Sequence, residues 1–255
     1  MIDAQDIRLA MGGKTILRGA GLQAAPGQIT ALLGRNGSGK TSLLRCLAGT
    51  QRRCTGRILL DGQDARALSP ARRARLTALL PQVLPRPAVT VGQLVCWGRT
   101  PWAGAGGRLT PADRTAAAGA LAQVGLEGKA GQLVCHLSGG ERQLAFLAMM
   151  LAQDTPIALL DEPTASLDAE YRRRVYRLLD GLRRAGRTVV VILHDLADAV
   201  ELADHLVVLE SGCTVFAGTP AAFAAGEVPR QVFAVQPTPV TDAAGRRYIL
   251  FRPVP

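Results

Sequence analysis

Gly34-Arg35-Asn36-Gly37-Ser38-Gly39-Lys40-Thr41 fits G-x-x-x-x-G-K-[ST], and its flanks decide how it folds. Before it runs Ile29-Thr30-Ala31-Leu32-Leu33, an apolar stretch of strand length suited to burial in a parallel sheet. After it, Ser42-Leu43-Leu44-Arg45-Cys46-Leu47-Ala48 reads as a helix that Gly49 ends. The three glycines let the backbone curl until successive N–H groups point inward at phosphate oxygens. The start of the helix adds its positive dipole end at the same spot. In that arrangement Lys40 reaches the β- and γ-phosphates of a nucleotide, and the Thr41 hydroxyl holds Mg²⁺. A chance match in a Gly-rich chain is the bland alternative. The scarcity of lysine (Lys14, Lys40 and Lys129 in an Arg-rich background) and the strand–loop–helix context argue against it.

Two further apolar runs end in polar residues. Ile157-Ala158-Leu159-Leu160 leads into Asp161 and Glu162, and Val189-Val190-Val191-Ile192-Leu193 leads into His194. Ligands of open α/β sheets gather at the C-terminal ends of strands, so these residues are expected beside the phosphate loop. Hydrolysis of a phosphoanhydride needs a metal clamp and a group that orients or deprotonates water. Asp161 suits the Mg²⁺ shell, Glu162 the general base, and His194 a contact to the γ-phosphate or the attacking water. Alone, an Asp-Glu pair reads as a solvated strand end and a single His as a surface residue; next to a phosphate loop the reading changes. Gln82, in Leu79-Leu80-Pro81-Gln82, reads locally as loop.

Ser138-Gly139-Gly140-Glu141 is a capping box expected to start a helix running from Glu141 to Gln153. Its paired glycines suit close approach of an anion, a second phosphate site without a lysine. With this stretch the chain resembles the ATP-binding subunits of ABC transporters over nearly its whole length. The resemblance makes Gly34–Thr41 the Walker A loop, with Ser42 beside it, and Leu159–Glu162 the end of Walker B. Gln82 becomes the Q-loop residue and a Mg²⁺ contact alongside Thr41 and Asp161. Leu137–Gln143 becomes the signature motif, Ala165-Ser166-Leu167-Asp168 the D-loop and His194 the switch histidine. It implies a RecA-like P-loop NTPase core of α/β class, with a parallel sheet, an antiparallel β-subdomain and an inserted α-helical subdomain. It also implies a head-to-tail dimer with a second copy, in which Ser138, Gly139, Gly140 and Asp168 complete the ATP site of the opposite chain. One departure stands out: the adenine-stacking aromatic expected upstream of Walker A is replaced by Met11, whose thioether stacks more weakly.

The resemblance divides the 255 residues of this single ATPase domain. Residues 1–82 and 157–217 form the nucleotide-binding core, 84–153 a helical subdomain with segments Val91–Trp97 and Pro111–Val124, and 218–255 a C-terminal extension. Residues up to about 82 read as short strands around the first helix, and the extension as a small helix followed by a hairpin, Pro239–Phe251, turning at Ala244-Gly245. No run approaches the roughly 18 apolar residues that span a bilayer, and the N-terminus lacks a signal-peptide pattern. A soluble chain on the cytoplasmic face of the inner membrane is expected, attached through integral-membrane permease subunits and indirectly through a periplasmic or surface substrate-binding protein. The cysteines, Cys46, Cys54, Cys96, Cys135 and Cys213, lack C-x-x-C spacing and read as reduced thiols. Net charge is +10, but the arginines are dispersed with little aromatic interleaving, so no nucleic-acid partner is expected.

Trp97-Gly98-Arg99-Thr100-Pro101-Trp102, followed by Gly106-Gly107-Arg108-Leu109-Thr110, looks like a segment of importer ATPases for ferric siderophores, haem and cobalamin. Its bland alternative is a helix-connecting loop in which Trp97 and Trp102 pack for stability. The expected activity is ATP hydrolysis powering uptake of an iron–siderophore complex. The alternatives are haem, cobalamin or another metal chelate as cargo and, more remotely, a non-transport ABC ATPase acting on nucleic acid.

Overall fold

The computed structural model describes residues 1–254 apart from 105, 106, 166, 244 and 246. Gly106, Ser166 and Ala244, each part of a stretch read from the sequence, therefore lie outside the described residues. The chain opens with β1 (Ile2–Met11), β2 (Lys14–Ala24), β3 (Ile29–Leu33), α1 (Lys40–Ala48), β4 (Thr55–Leu60), β5 (Gln63–Asp64), α2 (Pro70–Leu76) and β6 (Thr77–Leu80). A helical stretch follows, with α3 (Val91–Trp97), α4 (Pro111–Val124) and α5 (Gly139–Gln153). Alternation then resumes with β7 (Ile157–Asp161), α6 (Ala169–Arg184), β8 (Thr188–Ile192), α7 (Leu196–Leu202), β9 (His205–Glu210) and β10 (Cys213–Gly218). The chain ends with α8 (Pro220–Ala225), α9 (Val228–Phe233), β11 (Val235–Thr241) and β12 (Arg247–Pro253).

The central sheet has the order β10-β9-β3-β8-β7-β6. Its last five strands run parallel, and β10 turns back antiparallel. Every residue of β3, β7 and β8 is buried, which is why their sequences are near-continuous apolar runs. On one sheet face, Leu32, Leu159 and Val190 pack with Leu43 and Leu47 of α1 and with Ile7 and Leu17 of the antiparallel sheet β2-β1-β4-β5. On the other face, Ala31, Leu160 and Val191 share a core with Leu144 and Leu147 of α5 and Val175 and Leu179 of α6. Each fully buried Leu, Ile or Val among them contributes about 1.5–3 kcal/mol. The β-order places β3, β8, β7 and β6 side by side, so the four segments leaving their C-terminal ends converge.

The helical stretch is set by its caps. Thr90 with Gln93, Thr110 with Asp113 and Ser138 with Glu141 form three capping boxes. A rivet joins α5 to this stretch. Arg99 donates to Asp113 (3.0 Å) and to the Ala152 carbonyl (2.8 Å). Trp102 donates to the Gln153 carbonyl (2.7 Å), with the Arg75 and Arg99 guanidiniums stacked over its ring. Trp102 is thus packed for stability, whereas Trp97 stays half exposed, 50% accessible.

The described residues alter some expectations. The first two strands are long, of 10 and 11 residues, because they pair as one antiparallel hairpin along most of their length. The signature helix begins at Gly139, since Ser138 itself is the N-cap. The terminal hairpin reaches from Val235 to Pro253, anchored by Phe251 against Phe223 in an aromatic cluster with Phe216 and Phe233. Many arginines are paired on their own surface: Arg174 with Glu170, Arg183 with Asp180 and Asp204, Arg187 with Asp154.

Candidate functional site

Between β3 and α1 the loop Gly34 to Gly39 curls into a cradle. Gly34 has φ 145°, and a Cβ built there would stand 2.2 Å from the Leu209 carbonyl oxygen and 2.6 Å from Ser38 Oγ. Only glycine fits that approach. Arg35, Asn36 and Gly37 are exposed on the rim, Ser38 is buried, and Thr41 and Ser42 are half-buried in the first turn of α1. The Ser38 hydroxyl is buried without a hydrogen-bond partner among the described residues. Lys40, 6% exposed, turns back to donate to the Gly34 (2.8 Å) and Arg35 (3.1 Å) carbonyls. Burial pushes its ammonium pKa down, opposed by the nearby Glu162 and Asp161 carboxylates. A buried cation on loop carbonyls, an unpartnered hydroxyl and the start of α1 together suit a polyphosphate.

Asp161 closes β7 at 2% exposure and accepts from the Thr41 hydroxyl at 3.0 Å. Burial raises its carboxyl above the ordinary range, the Thr41 bond working against it. This pair of oxygens at the loop suits a hard divalent cation such as Mg²⁺. Glu162 follows with φ 53°, a left-handed conformation uncommon outside glycine. Both its oxygens are engaged: His194 Nε2 lies 2.5 Å from Oε1, and Gln82 Nε2 donates to Oε2 at 2.7 Å. Parallel register aligns Leu80 with Leu160 and Asp161 with Ile192, so three adjacent strands deliver Gln82, Glu162 and His194 to one spot.

Met11 ends β1, 51% exposed, with Gln51 Nε2 3.3 Å from its sulfur. Ser138 caps α5, its hydroxyl accepting from Glu141 N at 3.3 Å, while Glu141 Oε2 accepts from Ser138 N at 3.0 Å. Lys129 pairs with Glu141 and holds its carboxyl below the usual range. Gly139 and Gly140 form the first turn of α5. Asp168 caps α6, accepting from Glu170 N and Tyr171 N at 3.0 Å each. Among the described residues no hydrogen bond joins Ser138, Gly139, Gly140 or Asp168 to the phosphate loop; the structure gathers two separate sets. Sequence reasoning missed Tyr171, whose ring lies on Gly140, Lys129 behind Glu141, and the Tyr176–Asp198 contact. Tyr171 and Tyr176, aromatic residues within an Arg-rich helix, were the available signal.

A strand–loop–helix phosphate cradle on a parallel sheet, with carboxylates at the end of the next strand but one, defines a P-loop nucleotide triphosphatase. Residues 17–165 match the family described as ABC transporter, and the chain belongs to that family. It is 33% identical over 243 residues to the iron(3+)-hydroxamate import ATP-binding protein FhuC of Bacillus subtilis, covering 94% of this chain and 90% of the relative. It is 40% identical over 246 residues to the hemin import ATP-binding protein HmuV of Streptomyces coelicolor, covering 94% and 87%. Among solved structures, a metal-chelate type ABC transporter in an inward-facing conformation superposes with a TM-score of 0.84. That match is at 24% identity over 98% of this chain and 96% of the other, and speaks to the fold. Among the described residues no helix is long and apolar enough to cross a membrane.

Proposed function

We propose that this chain is the ATP-hydrolysing subunit of an importer that takes up an iron–siderophore complex through partner permease subunits. The observation that carries the hydrolytic part is the Gln82–Glu162–His194 contact set at the strand ends beside Lys40 and Thr41. Lys40, Ser38 and the backbone of Gly34 to Gly39 bind the triphosphate, with Ser42 next to them and Met11 against the base. Thr41, Asp161 and Gln82 would hold Mg²⁺, which when bound would supply charge neutralisation on the phosphates. Glu162 accepts a proton from the attacking water, and His194 and Gln82 keep its carboxylate aimed. Ser138, Gly139, Gly140 and Asp168 serve the ATP of a second copy, which accounts for a capped, glycine-bearing helix start with no lysine of its own.

The cargo reading rests on relatives named for iron(3+)-hydroxamate, petrobactin and ferric enterobactin, and on the segment around Arg99. Residues 84–153 act as the helical subdomain that faces the permease, 1–82 and 157–217 as the core, and 218–255 as an extension. The chain works peripherally at the cytoplasmic face of the membrane, with a substrate-binding protein on the far side. Haem is the second reading, carried by the 40% identity to a hemin import protein.

Uptake of labelled ferric siderophore and of haem in cells lacking the chain tests both. Siderophore uptake restored by wild type and not by Glu162→Gln is the expected result. Restoration of haem uptake alone moves the cargo to haem, and restoration by Glu162→Gln rejects the hydrolytic assignment.

A further inference from the structure

Outside the hydrolytic set, two side chains meet beneath it. The Tyr176 hydroxyl donates to Asp198 Oδ2 at 2.5 Å, and Arg172 Nη1 lies 3.4 Å from the same oxygen. Tyr176 and Arg172 stand on α6, the helix capped by Asp168. Asp198 stands in the first turn of α7, whose cap, Asp195, directly follows His194. Thr164, two residues beyond Glu162, lines the same cavity as this phenol. One hydroxyl therefore bonds the helix that leaves His194 and faces the cavity that the turn leaving Glu162 also lines. Burial, with the Asp198 carboxylate, pushes the phenol pKa up, so it remains a donor at neutral pH.

The surroundings make this contact matter. A cavity of about 160 Å³ lies here, lined by Glu162, Thr164, Arg172, Tyr176, His194 and Asp198 among others. Close packing does not fill the space between the Glu162 turn and the His194 helix, so packing alone does not fix their separation. The 2.5 Å contact between Glu162 and His194 joins two exposed-side segments at their tips. The Tyr176–Asp198 bond joins α6 to the first turn of the helix that leaves His194.

We propose that Tyr176, through Asp198, is a positioning residue for ATP hydrolysis, tying the His194 helix to the Asp168-capped helix beside the Glu162 turn. It touches no nucleotide and acts through Glu162 and His194. The inference deepens the proposed function and rests on its assignment of Glu162 as the base.

The experiment is steady-state ATP hydrolysis by the full-length chain with four variants: Tyr176→Phe, Asp198→Ala, Asp198→Asn and the Tyr176→Phe/Asp198→Ala double. Tyr176→Phe keeps the ring and removes the tie. Its kcat is expected to fall about tenfold with KM unchanged, and its melting temperature to stay within about 5 °C of wild type. Asp198→Ala should match it. Asp198→Asn keeps an acceptor oxygen and should retain most of the rate, and the double variant should be no slower than either single. Wild-type kcat in Tyr176→Phe, additive losses in the double variant, or a rate loss that only tracks lost folded protein would overturn the proposal. Glu162→Gln is run in parallel. Hydrolysis persisting there rejects the base itself; a dead Glu162→Gln beside a fully active Tyr176→Phe rejects the positioning role alone.

Discussion

The Tyr171 ring rests on Gly140 so closely that a Cβ built on that glycine would stand 2.9 Å from ring atoms Cγ and Cδ1. The contact links the first turn of the signature helix to the first turn of the helix that Asp168 caps. A methyl group at Gly140 meets the inner part of the ring, which cannot swing away without a rotamer change, so one of the two helix starts must shift. Gly140→Ala is expected to lower kcat for ATP about tenfold while leaving nucleotide affinity of the isolated chain unchanged. Adding Tyr171→Ala should recover part of the rate. An unaltered kcat in Gly140→Ala would show that the two helix starts do not need this registry.

Lys40 is buried and bonded to the carbonyls of its own loop, in a state poised to exchange those acceptors for phosphate oxygens. Charge-assisted hydrogen bonds contribute about 1.5–3 kcal/mol each, and losing two of them weakens binding by roughly 100-fold or more. Lys40→Ala should therefore bind a labelled ATP analogue at least that much more weakly in equilibrium dialysis. Undiminished binding would refute the assigned cradle.

The path from sequence to site was short where chemistry sits at strand ends. Ile29–Leu33, Ile157–Leu160 and Val189–Leu193 announce buried strands by being uniformly apolar, and the residues that follow each one are then at a shared edge. Gln82 was different: Pro81-Gln82 carries no periodicity, and only the parallel pairing of Leu80 with Leu160 brings its amide to Glu162. The long-range partners were illegible for a plain reason. Tyr176–Asp198 and Arg99–Ala152 join residues 22 and 53 positions apart, across helices whose relative placement no local pattern specifies. The Trp97 to Trp102 segment, which reads as a cargo signal, also has a mechanical reason for its residues: a Cβ at Gly98 would lie 2.1 Å from the Met149 carbonyl oxygen.

Asp161 sets its proposed role against stability. Burial raises its carboxyl pKa in the folded chain, so the ionised form opposes folding. The sign follows: the penalty is absent at pH values below the ordinary carboxylate pKa of about 4, grows as pH rises through the raised folded value, and is constant above it. Asp161→Asn keeps the partner for Thr41 and removes the charge. In Mg²⁺-free buffer at neutral pH the variant should melt at a higher temperature than wild type. The difference should shrink toward pH 4, and hydrolysis should be lost. A lower melting temperature at neutral pH would mean that the buried carboxylate is fully compensated by its neighbours.

Met11 holds the position where the family resemblance leads to an aromatic ring for adenine. It is 51% exposed at the end of β1, and the amide of Gln51 sits 3.3 Å from its sulfur. A thioether offers a purine dispersion contact without a broad face, whereas base–aromatic stacking contributes about 1–3 kcal/mol in single-stranded nucleic-acid sites. Because the side chain is exposed, Tyr is accommodated there without displacing core residues. Met11→Tyr should tighten ATP binding about fivefold or more by calorimetry, and should raise the preference for ATP over a nucleotide with a smaller base. Unchanged affinity would mean that the base lies away from Met11, and that the triphosphate cradle supplies the binding energy without a stacking platform on β1.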